Sequence, residues 1–133
     1  MYNQRVMEIF ANPKNVGMIK CADGVGEAEE KVCGDVVKLY IKVEDNVISE
    51  IKFKALGGVS TIASAYALTE VVKNKTLEEA MQITDEEILN ILGELPEDKM
   101  YSIALAKNAL VAVVEDYAKN LEKELKKLEN NKK

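Results

Sequence analysis

The sequence predicts a single α+β domain over residues 1–133. An N-terminal helix is followed by a small antiparallel sheet of about three strands, and several helices then pack on the sheet and end in a long one. Two observations predict this. Apolar and polar residues alternate in the first half of the chain, as in half-buried strands, whereas everything after Gly58 has helical spacing. Because strands and helices are segregated along the chain, the order is typical of an α+β domain.

The first helix is predicted from Tyr2, Val6, Ile9 and Phe10, whose spacing places them on one helical face. The pair Asn12-Pro13 ends it, because proline cannot continue a helix. This segment is therefore one short amphipathic helix.

An antiparallel hairpin is predicted next. Apolar residues alternate with Lys38, Tyr40 and Lys42 over residues 36–43, and a second alternating run follows the turn residues Glu44-Asp45-Asn46. An earlier strand over residues 25–32 is also expected, although its sequence is polar. These segments together make the three strands.

Three helix starts follow the sheet. Ser60 is predicted to cap a helix that runs to about residue 73. Thr76 with Glu79, and Thr84 with Glu87, fit the capping box, in which a hydroxyl and a carboxylate satisfy free amides at a helix start.

The last helix is predicted to be long. Leu95-Pro96 interrupts the helical series, and an apolar stripe then runs to the end of the chain. The stripe consists of Ile103, Leu110, Val114, Tyr117, Leu121, Leu125 and Leu128. The charged tail, residues 125–133, is expected to fray.

Composition excludes several classes of function. The net charge of −5 argues against a nucleic-acid partner, and no apolar stretch is long enough to span a membrane, so we expect a cytoplasmic protein. The sequence has no histidine, which rules out hydrolases built on a Ser-His or Cys-His pair. We therefore expect no enzymatic activity and no catalytic residues.

The motif Cys33-Gly34-Asp35 carries the chemistry of interest. A thiolate with a carboxylate two residues later, at a bend that glycine permits, supplies half of a zinc or iron site. The alternative is that Cys33 is a small buried hydrophobic residue and Asp35 a turn former. The other cysteine, Cys21, is expected to be an ordinary residue.

Ordered segments along most of the chain point to one family. They are Asn12-Pro13-Lys14-Asn15-Val16-Gly17, Cys33-Gly34-Asp35, Phe53-Lys54, Gly57, Ile62-Ala63-Ser64, Thr69-Glu70, Lys75-Thr76-Leu77-Glu78-Glu79-Ala80, Leu95-Pro96, Lys99 and Leu105-Ala106. In order and spacing this chain resembles the IscU-type scaffolds of iron–sulfur cluster assembly, equivalent to the N-terminal domain of NifU.

The resemblance also implies a set of ligand positions. Three cysteines hold the nascent cluster in that family, and the first, with its aspartate, falls on Cys33 and Asp35. The second falls on Gly58 and the third on Ser102, while the family histidine falls on Tyr101. Since iron–sulfur clusters are usually held by four thiolate or imidazole ligands, one chain is not expected to hold a cluster in the family manner. Iron, zinc or a cluster is expected to bind weakly or only in an oligomer, or not at all.

Three functions stay open on the sequence. The first is a divergent scaffold that handles clusters or sulfur through Cys33 and Asp35, with a second copy completing the ligand set. The second is a regulatory module that binds a cysteine desulfurase and holds no metal. The third is a sulfur or selenium acceptor that uses Cys33. In each, the expected partner is a cysteine desulfurase or another assembly component. The family's chaperone-binding stretch reads Leu95-Pro96-Glu97-Asp98-Lys99 here, and its acidic residues argue against that contact.

Overall fold

The computed structural model describes residues 1–132, and it has the predicted order of one helix, a sheet and then helices. The elements are α1 Gln4–Ala11, β1 Gly24–Glu30, β2 Asp35–Glu44, β3 Val47–Leu56, α2 Val59–Val72, α3 Leu77–Ala80, α4 Asp85–Leu92, a 3₁₀ turn Glu97–Lys99, and α5 Tyr101–Asn131. The predicted fold class is confirmed.

The sheet is a three-stranded antiparallel meander in the order β1-β2-β3. Asp45 and Asn46 form the β2–β3 turn with positive φ angles of 51° and 65°, which suits a tight hairpin. The polar strand predicted before them is confirmed as β1, which pairs with β2 from Gly24 opposite Ile41 to Glu30 opposite Asp35. The ladder therefore brings the end of β1 directly beside the start of β2.

The free edge of β3 is covered by the segment that follows α1. The Phe53 amide donates to the Asn15 carbonyl at 2.8 Å, and the Gly17 amide donates to the Phe53 carbonyl at the same distance. This pairing satisfies backbone groups that an open sheet edge would otherwise expose.

The core lies between one face of the sheet and the helices α2 and α5. Val37, Leu39 and Ile41 of β2 and Phe53 of β3 are fully or almost fully buried there. Tyr40 is an exception to the predicted alternation, because it lies on the other face of β2 and yet is only 4% exposed.

Helix α5 lies unusually close to β1, because two glycines leave room for it. A Cβ atom placed on Gly26 would be 2.3 Å from the Val113 amide nitrogen, and one on Gly24 would be 2.8 Å from the Val113 carbonyl oxygen. Neither distance is possible for a real side chain, so the strand and the helix make direct backbone contact.

Both predicted capping boxes are confirmed, at α3 with Thr76 and Glu79 and at α4 with Thr84 and Glu87. The predicted cap at Ser60 is wrong. Helix α2 begins two residues earlier than a Ser60 cap requires, at Val59, with Gly58 as its N-cap and no side-chain cap.

The apolar stripe of α5 is only partly core. Ile103 and Leu110 are buried, whereas Leu121, Leu125 and Leu128 are 45%, 53% and 57% exposed. The helix continues to Asn131, so the fraying of the tail stays a prediction. None of the helices in the described part of the chain is long and apolar enough to cross a membrane.

Candidate functional site

Cys33 lies on the short loop between β1 and β2, and its side chain is exposed. The Glu30 carboxylate holds this loop, accepting from the Cys33 amide at 2.7 Å and from the Val32 amide at 3.1 Å. Gly34, with φ +77°, makes the bend, and its amide donates to the Glu30 carbonyl at 2.8 Å. Cys33 is thus not the buried hydrophobic residue of the alternative interpretation.

The hydrogen bonds of this loop also change the pKa of Glu30, the residue that holds it. The two backbone amides, that of Cys33 first and then that of Val32, lower the pKa of Glu30 below its ordinary value. The carboxylate therefore stays ionised as the anchor of the loop that carries the thiol.

Asp35 begins β2 and is only 8% exposed. Two hydroxyls donate to its Oδ2 atom: Thr61 Oγ1 at 2.6 Å and the Tyr101 hydroxyl at 2.9 Å. Thr61 comes from the first turn of α2 and Tyr101 from the first turn of α5, so three elements meet at this carboxylate. Among the residues that the structure describes, no Lys or Arg pairs with it.

Gly57 allows this close approach. A Cβ atom at Gly57 would be 2.9 Å from Asp35 Cγ and 3.0 Å from Thr61 Cβ, so a side chain would push the carboxylate away. The absence of a side chain at Gly57 is therefore a steric requirement of the site.

The same surroundings change the pKa of the Tyr101 phenol. Burial of the phenol is the main cause that raises its pKa, followed by its hydrogen bond to Asp35 and by the negative charges of Asp35 and Cys33. The phenol is protonated at neutral pH and acts as a donor.

The two positions that the resemblance assigns to further cysteines differ from each other. Gly58 faces open space, since a Cβ atom there would meet nothing within 4 Å. Ser102 is fully buried, and its Oγ donates to Ser60 Oγ at 2.8 Å. Ser60 is the second residue of α2 and not its N-cap, and its hydroxyl accepts this bond from α5.

Cys21 lies far from this site. The segment around it contacts the other end of β2, where Lys42 Nζ donates to the Cys21 carbonyl at 2.9 Å and the Asp23 amide donates to the Ile41 carbonyl. At about 3.3 Å per residue, that end of β2 is roughly 20 Å from Asp35. Cys21 and Cys33 therefore lie near opposite ends of β2.

The stretch from Leu95 to Lys99 is not extended in this structure. Glu97–Lys99 forms a 3₁₀ turn that leads into α5, and the Glu97 and Asp98 side chains are exposed. Loss of the chaperone contact stays a prediction.

Within residues 1–132, no group of three or more cysteine, aspartate or glutamate side chains is placed to hold a metal ion. The site offers one thiol, one oriented carboxylate and one phenol.

Sequence reasoning identified Cys33, Asp35, Gly58, Tyr101 and Ser102, and the structure brings Asp35 and Tyr101 into contact. The sequence analysis did not identify Thr61 and Glu30. Glu30 had a local signal, since it lies three residues before Cys33, whereas Thr61 had none, because its contact with Asp35 is made in three dimensions.

Solved structures share this fold. One is described as a putative iron–sulfur cluster assembly scaffold protein for the SUF system from Fervidobacterium islandicum, with a TM-score of 0.70 and 24% identity over 84% of this chain and 96% of that one. Another is a NifU-like protein (N-terminal) from Brucella abortus, with a TM-score of 0.68 and 20% identity over 88% and 94%. At these identities the likeness establishes the architecture alone.

Sequence comparison establishes the family. The model of the NifU-like N terminal domain matches residues 1–124, and the chain belongs to this family. It is 44% identical to the iron–sulfur cluster assembly scaffold protein IscU 1 of Archaeoglobus fulgidus, over 97% of this chain and 92% of that protein. Identity with IscU of Haemophilus influenzae is 42%, over 87% and 94%. The resemblance inferred from the ordered motifs is confirmed.

Proposed function

We propose that this protein takes part in iron–sulfur cluster assembly and handles sulfur or iron through Cys33 and Asp35, without holding a cluster as a single chain. The main support is one contrast within the site. Cys33 is exposed beside an oriented carboxylate, whereas the positions of the other two family cysteines are a glycine and a serine that is bonded inside the protein. The scaffold names of its relatives support the same general role.

A second copy can complete the ligand set. Two chains related by a twofold axis would bring two Cys33 thiolates and two Asp35 carboxylates together, which gives four ligands. Because the loop of Cys33 protrudes from the end of the sheet, its thiol is accessible to such a partner. Any bound cluster is cargo in this arrangement and is lost when the chains separate.

Cys33 is also suited to accept sulfur from a cysteine desulfurase. The Cys33 thiolate attacks the outer sulfur of the donor's persulfide, a new S–S bond forms on Cys33, and the donor leaves as a thiolate. The step needs an exposed thiol, which Cys33 supplies and Ser102 does not. The same step would transfer selenium from a perselenide.

Anaerobic reconstitution with iron and sulfide tests the proposal. We expect no cluster on the monomer and at most one cluster bridging two wild-type chains, detected by absorbance, iron content and molecular mass. Cys33→Ser should abolish the bridged cluster, while Cys21→Ser should leave it unchanged. A cluster on the monomer of the wild type would overturn the proposal.

Restoring the ligand positions provides a second test. Gly58→Cys places a thiol in open space, and Ser102→Cys adds the third thiol at the expense of the bond to Ser60. We expect the double variant to bind zinc more tightly than the wild type, measured by competition with a chelator. Equal affinity would mean that these positions are not ligand positions in this chain.

A regulatory, non-enzymatic module is the second candidate, and the missing thiolates favour it. In that case the chain binds a cysteine desulfurase through its family surface and carries no sulfur. Binding in which Cys33→Ser has no effect, with no sulfur delivered to the wild type, would select this candidate. If affinity capture from the native host recovers no desulfurase or assembly factor, both candidates fail, and the family describes only the fold.

A further inference from the structure

Helices α2 and α5 pack against one face of the sheet, and we call the opposite side the outer face. Paired residues of neighbouring strands point to the same side, so the outer face consists of rows that cross β1, β2 and β3. Three rows are Glu29–Val36–Leu56, Glu27–Lys38–Lys54 and Val25–Tyr40–Lys52. Leu56 is 70% exposed, and both glutamates and Lys54 are exposed as well. The outer face is therefore accessible to another molecule.

Charge on the outer face changes sign across the sheet. β1 contributes two acidic side chains and β3 two basic ones, which are Glu27 and Glu29 against Lys52 and Lys54. Within residues 1–132, none of these four takes part in an ion pair. Lys54 also lies directly opposite Lys38, and like charges in that position are destabilising. The face thus has an acidic side and a basic side that are available to a partner of complementary charge.

A second copy of the chain supplies this complementarity in one orientation. When two outer faces pack around a twofold axis that runs along β2, β1 of each copy lies over β3 of the other. Glu27 then faces Lys54 of the second copy, and the contact occurs twice. An axis across the strands would instead bring like charges together. The remaining acid on this part of β3, Glu50, lies two rows away and opposite Lys42.

The size of the outer face predicts a weak pair. Its three strands are seven to ten residues long, which gives roughly 400 Å² on each copy at the usual strand spacing. Stable interfaces bury about 800 Å² per partner, so this contact belongs to the transient class. Burial of the exposed Leu56 adds an apolar contribution. Pairing should therefore depend on protein concentration.

We propose that the outer face binds a second copy of this chain, in the orientation that places β1 of one copy over β3 of the other. Rotation about an axis along β2 keeps the strand ends together, so both Cys33 loops lie at the same end of the pair, about 10 Å apart. The inference deepens the proposed function and rests on it, since it names the surface through which the second Cys33 arrives.

Charge reversal in the full chain tests the surface, with sedimentation velocity over a range of concentrations as the measurement. Lys54→Glu should weaken pairing about tenfold or more, because two attractive contacts become repulsive, and Glu27→Lys should do the same. The double variant Glu27→Lys, Lys54→Glu should regain wild-type pairing. Lys73→Glu is the matched control, since it makes the same charge change at an exposed residue that follows α2.

Three results would overturn the inference. They are a wild type that stays monomeric at the highest concentration, pairing that Lys54→Glu leaves unchanged, and a double variant that pairs no better than the single ones. Circular dichroism verifies that each variant is folded. Because the two charges of the swap lie on β1 and β3 of one chain, with β2 between them, rescue requires contact between copies.

Cross-linking tests the orientation. A bismaleimide that spans about 10 Å, added to Cys21→Ser, should join Cys33 to Cys33 of the second copy. The yield should rise with protein concentration and fall when Lys54→Glu is added. A pair that forms but cannot be cross-linked through Cys33 would place the loops at opposite ends and contradict the proposed orientation.

These outcomes are separable from the fate of the proposed function. If the wild type is monomeric yet accepts sulfur on Cys33 from a desulfurase, the outer-face inference is wrong and the sulfur-handling role stands. If the charge swap restores pairing but neither sulfur transfer nor binding of an assembly component occurs, the interface stands and the assembly role falls.

Discussion

The same three-residue pattern, Cys-x-Asp, occurs at both ends of the sheet, as Cys21-Ala22-Asp23 and as Cys33-Gly34-Asp35. Both carboxylate oxygens of Asp23 contact β2: Oδ2 accepts from the Val43 amide at 2.8 Å, and Oδ1 lies 3.8 Å from Lys42 Nζ. Asp35 instead receives two hydroxyls on one oxygen and pairs with no lysine or arginine in the described chain.

The comparison shows that the neighbours, and not the motif, decide the role. At one end a lysine of β2 neutralises the carboxylate and binds the backbone of Cys21. At the other end, the first turns of α2 and α5 supply hydroxyls, and the charge of Asp35 is left without a counter-ion. The first arrangement holds a loop to a strand, and the second leaves a largely buried carboxylate whose hydrogen-bond donors are two hydroxyls.

The largest expected effect is on sulfur uptake. Cys33→Ser should abolish persulfide formation when a desulfurase and cysteine are supplied, because the accepting thiol is removed, while Cys21→Ser should keep wild-type levels. Mass spectrometry of the intact protein measures the added sulfur. Uptake that depends on Cys21 instead would reverse the assignment of the two ends.

The second largest effect is expected on stability, through the packing of Gly57 against Asp35. Gly57→Ala should lower the free energy of unfolding by about 1–3 kcal/mol, because its Cβ atom would overlap the carboxylate and Thr61. Gly58→Ala is the matched control and should cost less than about 1 kcal/mol, since its Cβ atom meets open space. Urea denaturation measures both, and equal losses would contradict the close approach at Gly57.

Replacing each of the two aspartates by alanine should lower the free energy of unfolding by a different amount. Asp23→Ala should cost about 1–2 kcal/mol, because the Val43 amide loses its acceptor. Asp35→Ala should cost less than about 1 kcal/mol, because removal of a largely buried charge that pairs with no lysine or arginine in the described chain offsets the loss of two hydroxyl hydrogen bonds. Thermal or urea unfolding would show the order, and a larger loss at Asp35 would make that residue structural.

The smallest effect concerns the order of the Cys33 loop at low pH. The pKa of Glu30 is lowered by the amides of Cys33 and Val32, so its contribution is complete above the ordinary value of 4.5 and is lost as the pH falls through the lower pKa of the folded state. Amide protection factors at Val32 and Cys33 should therefore fall in acid, and Glu30→Gln should weaken that dependence. Protection that is independent of pH would exclude Glu30 as the anchor.

Much of the fold was predictable because its signals are local. The capping boxes of α3 and α4 each involve residues three positions apart, and the hairpin follows from alternation and from turn residues. Ser60 was mispredicted because the helix begins before it. Gly58 has the extended backbone of the N-cap, and Ser60 lies within α2, where its hydroxyl accepts from Ser102.

The candidate site also has parts that the sequence predicts and parts that it does not. Cys33 and Asp35 were found from a contiguous motif, and Tyr101 from its place in the family pattern. The hydrogen bonds of Asp35 to Thr61 and Tyr101 could not be predicted, because they depend on how the starts of α2 and α5 meet the start of β2. Exposure of the last part of the α5 stripe was also missed, since periodicity indicates a face and not whether anything covers it.

The backbone contact of Gly24 and Gly26 with α5 has a consequence for synthesis of the chain. β1 is made well before the surface against which it packs, around Val113 of α5. That side of the sheet therefore stays uncovered until α5 has been synthesised and has left the ribosome. We expect this packing to form at the slower rate typical of contacts between distant parts of a chain.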